Sequence, residues 1–153
     1  ENHLQGSTKA KYRYGLYQDN CLVAVMTLSK SRYDTKSDKL ELIRFCVKKD
    51  HIVIGGFTKL LKRLHYPIIS YGNRRWTSSI RNIYEKSFKF SHISQPNYFY
   101  YMDKKLESRL KYQKHKLTNI LKTFDNTKTE KQNMIKNGYS IFYDCGNVVY
   151  NKD

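Results

Sequence analysis

Pro67–Phe90, PIISYGNRRWTSSIRNIYEKSFKF, is the stretch from which the rest of the chain can be read outward. Its apolar opening, Pro67-Ile68-Ile69-Ser70-Tyr71, is bounded by Pro and Gly and predicts a short buried strand. Gly72-Asn73 signals the strand's end. Arg74, Arg75 and Trp76 follow at once, and Trp76 is the only tryptophan in the chain. Thr77 or Ser78 is placed to cap a helix whose apolar positions Ile80, Ile83, Tyr84 and Ser87/Phe88 recur at three-to-four spacing. Ligands of α/β proteins sit where the chain reverses at the carboxyl ends of buried strands. Two guanidiniums and an indole at such a point suit a phosphate and a base. The competing reading is a solvated loop whose tryptophan plugs the core.

The composition points to the same class of partner. The 153 residues suffice for one domain with a core of its own. Lys and Arg number 29 against 13 Asp and Glu, a formal charge of +16. That excess favours a polyanion, with nucleic acid ahead of an anionic membrane surface. Aromatic residues make up 14% of the chain, 14 of them Tyr, which excludes a disordered basic tail. Tyrosine among cations also suits stacking on bases while Lys and Arg hold phosphates. Cys21, Cys46 and Cys145 are odd in number and form no CxxC pair, so neither a structural zinc site nor a disulfide framework is expected. No metal-ligand set is read anywhere. No apolar run reaches membrane-spanning length. The start at Glu1, without Met, reads as the continuation of a longer protein.

Before the central stretch, Lys11–Tyr17 alternates Tyr12, Tyr14 and Leu16 with Lys11, Arg13 and Gly15, as a half-exposed strand does. Gln18-Asp19-Asn20 is a hairpin turn leading to a buried strand, Cys21–Leu28. A charged loop, Ser29–Lys39, precedes the strand Leu40–Val47, with Leu40, Leu42 and Arg44 expected on one side and Glu41, Ile43 and Phe45 on the other. The short connections make this meander antiparallel. Gly55-Gly56 then opens a helix, Phe57–Leu64, with an apolar stripe of Leu60, Leu61 and Leu64 and a wet face of Lys59, Lys62 and Arg63. Glycines there allow backbone N–H groups to approach an anion.

Beyond it, Tyr98-Phe99-Tyr100-Tyr101 reads as the last main strand, its alternate rings facing core and solvent. Leu106–Leu121 reads as a helix with Leu106, Leu110, Leu117 and Leu121 inward and Arg109, Lys111, Lys114, His115 and Lys116 outward. Glu107 is its single acid, so phosphate contact is expected of the basic face. Thr129-Glu130-Lys131-Gln132 is a capping box for a short helix closed by Gly138. Tyr139–Asp144 and Val148–Tyr150 are expected to form a terminal hairpin around Cys145-Gly146-Asn147.

The order of these elements resembles the acetyltransferase fold of the GNAT superfamily. That resemblance implies acetyl-CoA or a related acyl donor at Gly55, Gly56 and Thr58. The chain departs from the pattern at Ile52, where Arg or Gln is usual, at Phe57, where Gly or Ala is usual, and at Ser87, which replaces the Gly of a "GF" ending. These departures predict weak acetyl-CoA binding. More of the chain, through NHLQG, GLYQDNCLVAVMTLSK, LELIRFC, VIGGFTKLLKRL, IISYGNRRW, IYEKSFKF, PNYFYY and YDCGNVVY, resembles a domain of phage and large-virus proteins. In those proteins it follows a Vsr-like, homing-endonuclease-type nuclease domain. His3 near Gly6, LELIRF, and SYGN followed by IYEK are also similar to the phage Mom proteins, GNAT-fold modifiers of DNA adenine.

These resemblances imply a single GNAT-like α+β domain over residues 1–153, with a mixed, mainly antiparallel sheet flanked by helices, then the basic helix and small hairpin. They imply DNA as partner, an upstream nuclease domain in the same protein, no membrane, and the cytoplasm of an infected host cell. Arg74, Arg75, Lys59, Lys62, Arg63, Arg109, Lys114 and Lys116 would hold phosphates and Trp76 would meet a base. As a Mom-like transferase the chain would use His3, Tyr71, Asn73 and Tyr84. A third class is an N-acetyltransferase. No strand-borne pair of acids with Lys or His appears, so nuclease chemistry is not expected from these residues. A transferase requires a splayed cleft between Leu40–Val47 and Pro67–Tyr71 that reaches Gly55-Gly56.

Overall fold

The structure, a computed structural model, describes residues 6–33, 36–77 and 82–153. It is mixed α+β and its strands are mostly antiparallel. They are β1 (Tyr12–Gln18), β2 (Cys21–Lys30), β3 (Leu40–Val47), β4 (Ile68–Asn73), β5 (Lys89–Ile93), β6 (Tyr98–Met102), β7 (Lys105–Ser108), β8 (Ser140–Tyr143) and β9 (Asn147–Lys152), with helices α1 (Gly56–Leu61) and α2 (Glu130–Lys136). The chain divides into two compact units. One is the chain up to Ile93 together with Asn147–Asp153; the other is Ser94–Gly146. Among the described residues no helix is long and apolar enough to cross a membrane.

The first unit is a six-stranded sheet in the order β1-β2-β3-β4-β9-β5. The predicted meander forms as expected. Asp19 and Asn20 take φ of 48° and 60° at the β1–β2 turn, the left-handed pair of a tight hairpin. The facing of β3 differs from expectation. Leu28 opposes Leu42 while Thr27 opposes Arg44, so Ile43 is an extra, bulged residue. The bulge shifts the alternation and turns Phe45 to the side of Leu40 and Leu42, leaving Arg44 on the opposite face. Helix α1 lays Phe57, Leu60 and Leu61 on that side of the sheet, where they join Met26, Leu28, Ile68 and Tyr150 in the core. Leu64 is buried there too, but the helix ends before it.

β3 and β4 are parallel, and their pairing covers only Leu40–Leu42 against Ile68–Ser70. Past that point β3 runs on to Val47 without β4, and β4 runs on to Asn73 paired with β9. The two strands therefore part company halfway along β3.

Four expectations are corrected. Ser78 and Ile80 lie outside the described residues, and residues 82–88 form turns rather than a helix. The amides of Ser87 and Phe88 both donate to the Tyr84 carbonyl, and Asn82 Oδ1 accepts from the Tyr84 amide at 2.9 Å. A side chain that bonds its neighbouring backbone in this way competes with the helical ladder. Second, β6 is not a strand of the main sheet; it is the middle of a separate sheet ordered β7-β6-β8. Third, Leu106–Leu121 is not a helix. It holds most of β7 and then two 3-10 turns, Arg109–Tyr112 and Lys114–Asn119. Ser108 Oγ accepts the Leu110 amide and starts the first turn, while Tyr112 and Leu117 are drawn into the core and Leu106 and Leu110 stay exposed. Fourth, the terminal segments form no hairpin. β8 pairs with β6, whereas β9 enters the main sheet between β4 and β5. Gly146, at φ +70°, makes the turn between them.

The second unit packs Tyr100, Tyr112, Leu117 and Met134 into a small core against Tyr98, Tyr139 and Ile141. Its helix α2 has the expected capping box, with Thr129 and Gln132 bonding reciprocally, and ends before Gly138 at φ +88°.

Candidate nucleic-acid interface

At the carboxyl end of β4 the backbone folds into a closed turn. The Asn73 carbonyl accepts the amides of Trp76 (2.9 Å) and Thr77 (3.0 Å), and Thr77 Oγ1 donates to it as well (2.8 Å). Asn73 Oδ1 accepts the Arg75 amide at 2.9 Å. Asn suits this position because its short amide can bond the backbone two residues on. Gly72 is buried beneath the turn, and a Cβ there would lie 2.6 Å from Thr77 Cγ2. The turn thus projects Arg74, Arg75 and Trp76 outward, all three exposed, with Trp76 at 72%. The tryptophan is not a core plug.

The remaining predicted cations are exposed as well. On α1 and in the turn that follows it, Lys59, Lys62 and Arg63 are exposed while Phe57, Leu60 and Leu61 are buried. Arg109, Lys114 and Lys116 of the second unit do not line up on one helical face. The Arg109 guanidinium lies 5.0 Å from the Tyr98 ring centre, Lys114 Nζ donates to the Asn126 carbonyl (2.9 Å), and Lys116 Nζ donates to the Leu110 carbonyl (3.2 Å). These groups hold the irregular turns together as well as supplying charge.

The glycine pair before α1 has packing reasons of its own. Gly55 takes φ +70°, which suits glycine, and a Cβ on Gly56 would meet Val53 Cγ1 at 2.7 Å. Thr58 is exposed. The helix is six residues long and has no side-chain cap, so its dipole is small. Ile52 and Ile54 in the loop before it are almost fully exposed, at 93% and 95%.

The three described transferase candidates, Tyr71, Asn73 and Tyr84, are not gathered into one site. His3 lies outside the described residues. Tyr71 is half-buried and meets Tyr33 edge-on at 5.2 Å. Asn73 holds the turn. Tyr84 stacks on Tyr150 (5.0 Å, 14° between planes) and packs edge-on against Phe57 and Phe88. Tyr150 lies opposite Ser70 in the β4–β9 ladder, so Tyr84 is on Ser70's side of the sheet. Tyr71, one residue further, faces the other side.

Three features escape a reading of the sequence. Glu41 is 1% exposed and receives Arg32 through its backbone amide (3.0 Å), Nε (3.0 Å) and Nη2 (2.5 Å). The Glu41 carboxylate raises the Arg32 pKa. The pair lies nine positions apart across a loop, and no local spacing rule joins them. Ser70, also 1% exposed, has a buried hydroxyl without a hydrogen-bond partner among the described residues, at the last rung shared by β3 and β4. Glu107 accepts from Lys111 Nζ (2.6 Å) and from the Tyr112 hydroxyl, which lowers its pKa; burial and that same bond raise the Tyr112 pKa. Among the described residues no cluster of three or more His, Cys, Asp or Glu is placed to hold a metal.

Comparison with family models, with curated proteins and with solved structures finds no match to this chain.

Proposed function

We propose that this chain is a DNA-binding domain, GNAT-like in fold and of the kind that accompanies viral mobile endonucleases. It holds duplex phosphates with Arg74 and Arg75 while Trp76 meets a base. The observation that carries the reading is the exposed Arg-Arg-Trp turn, fixed by Asn73 and Thr77 at the end of β4. A fixed turn presents two guanidiniums with little ordering cost on binding, and guanidinium forks match phosphate oxygens. Lys59, Lys62 and Arg63 add charge in the same unit. The test is the double substitution Arg74→Ala/Arg75→Ala. Binding to a duplex should weaken at least tenfold, roughly the loss of two charge-assisted bonds, with an unchanged melting temperature. Unaltered binding would place the interface elsewhere.

A second reading, a Mom-like or acetyl-transferring enzyme, is favoured by one observation: β3 and β4 are parallel neighbours that separate beyond Leu42 and Ser70. A GNAT-like transferase would need its cleft to open at such a parting and to reach Gly55-Gly56. The exposed apolar Ile52 and the shortness of α1 give little purchase for a pyrophosphate. Acetyl-CoA should therefore show no binding tighter than about 100 µM by calorimetry; a micromolar constant would make the enzyme the leading reading.

A further inference from the structure

In the second unit, strand alternation and register sort the side chains of the three-stranded sheet into two sets. Tyr98 and Tyr100 of β6 point toward α2, where both hydroxyls donate to Glu130 Oε1 (3.1 and 2.9 Å). Phe99 and Tyr101 therefore point the other way. Across the ladders Phe99 faces Phe142 and Ser108, while Tyr101 faces Leu106 and Ser140. This second face is built from three rings, one leucine and two serines. It is not packed away: Tyr101 is 38% exposed, Phe142 52% and Leu106 58%, with the Tyr101 and Phe142 rings 5.5 Å apart.

We propose that this open face binds single-stranded nucleic acid by stacking bases on Phe99, Tyr101 and Phe142. Three observations choose that occupant. Every base has a π-face, so a row of rings takes a single strand without regard to sequence. A duplex keeps its bases stacked inside and offers such a flat face only phosphates. The surroundings are complementary to a polyanion: Ser94–Gly146 holds ten Lys and Arg against five Asp and Glu. The face carries no charge of its own; Lys104 sits beside it, next to Asp103, in the β6–β7 turn, while Lys105, opposite Met102, and Arg109, over the Tyr98 ring, belong to the other side of the sheet. Bases would cover the rings while the backbone runs past Lys104 at the edge of the sheet. Same-face neighbours lie roughly 7 Å apart along a strand and strands about 4.8 Å apart, so the face accommodates two or three bases. This site belongs to the second unit and the Arg74–Trp76 turn to the first, and the proposal does not rest on that turn.

The experiment measures anisotropy of a labelled oligothymidylate of about 12 nucleotides, and separately of a hairpin duplex, with the full chain. Tyr101→Ala and Phe142→Ala should each weaken oligothymidylate binding about tenfold, the order expected for one lost stacking partner, and leave duplex binding unchanged. Tyr101→Phe keeps the ring and should retain affinity. Phe142→Leu keeps the apolar cover and should lose affinity, which separates stacking from folding. Arg74→Ala/Arg75→Ala should affect the duplex alone, so failure here is distinguishable from failure of the duplex reading. Unchanged single-strand binding in both alanine variants would overturn the proposal. So would a sedimentation experiment in which the face proves to join two copies of the chain and Phe142→Ala merely dissociates them.

Discussion

Trp76 and Tyr84 belong to one stretch of sequence and meet opposite fates. The indole stands in solvent, so Trp76→Ala should leave the melting temperature nearly unchanged and cost roughly 1–3 kcal/mol of DNA binding. The Tyr84 ring is wedged among Phe57, Phe88 and Tyr150, and Tyr84→Ala should cost about 2–4 kcal/mol of stability. Thermal melts beside binding curves check both; a melting temperature that collapses for Trp76→Ala would return the indole to the core. Glu41 offers a sharper case. Arg32→Ala leaves the buried Glu41 carboxylate, among the described residues, with only the backbone amide of residue 32 and should destabilise by about 1–3 kcal/mol, discounted because the guanidinium is half in water. Arg32→Ala/Glu41→Leu should recover much of that loss in a denaturant melt, since an apolar side chain has no charge to desolvate.

At the scale of elements, what could be read from the chain followed how local the determinants are. β1, β2, β3, the Asp19-Asn20 turn and the α2 capping box are set by alternation, turn residues and a four-residue box, and all were legible. Leu106–Leu121 was not, because its leucine spacing fits a helix while β7 is decided by pairing to β6 and Tyr112 by the rings of Tyr100 on β6 and Tyr139 just before β8. The β9 insertion was likewise hidden, since its partners β4 and β5 are distant in sequence. Of the candidate site, the Arg74–Trp76 turn was legible as a strand end. The outward set of rings on β6 was legible only as an alternation whose phase was unknown. The 3-10 turns also carry a pH signature. The Glu107 pKa is lowered by Lys111 and Tyr112, so its contribution to stability is present above the ordinary glutamate pKa of 4.5 and is lost as pH falls through the lowered value. Glu107→Gln should destabilise the chain at neutral pH, and the gap to wild type should close in acid; a gap that persists well below that range would mean the carboxylate acts through shape alone.

At the scale of the whole molecule, a charge of +16 on 153 residues is a statement about partners rather than about fold. Both units contribute cations. We propose that the partner is nucleic acid held by its phosphates through the Arg74-Arg75 turn. The most direct test is the affinity for a short duplex measured across a range of salt concentrations, for wild type and for Arg74→Ala/Arg75→Ala. Each neutralised phosphate contributes about −0.9 to the slope of log K against log salt. A steep negative slope is expected for wild type, shallower by about two phosphates' worth in the double variant. A flat slope, or no binding at low salt, would contradict it.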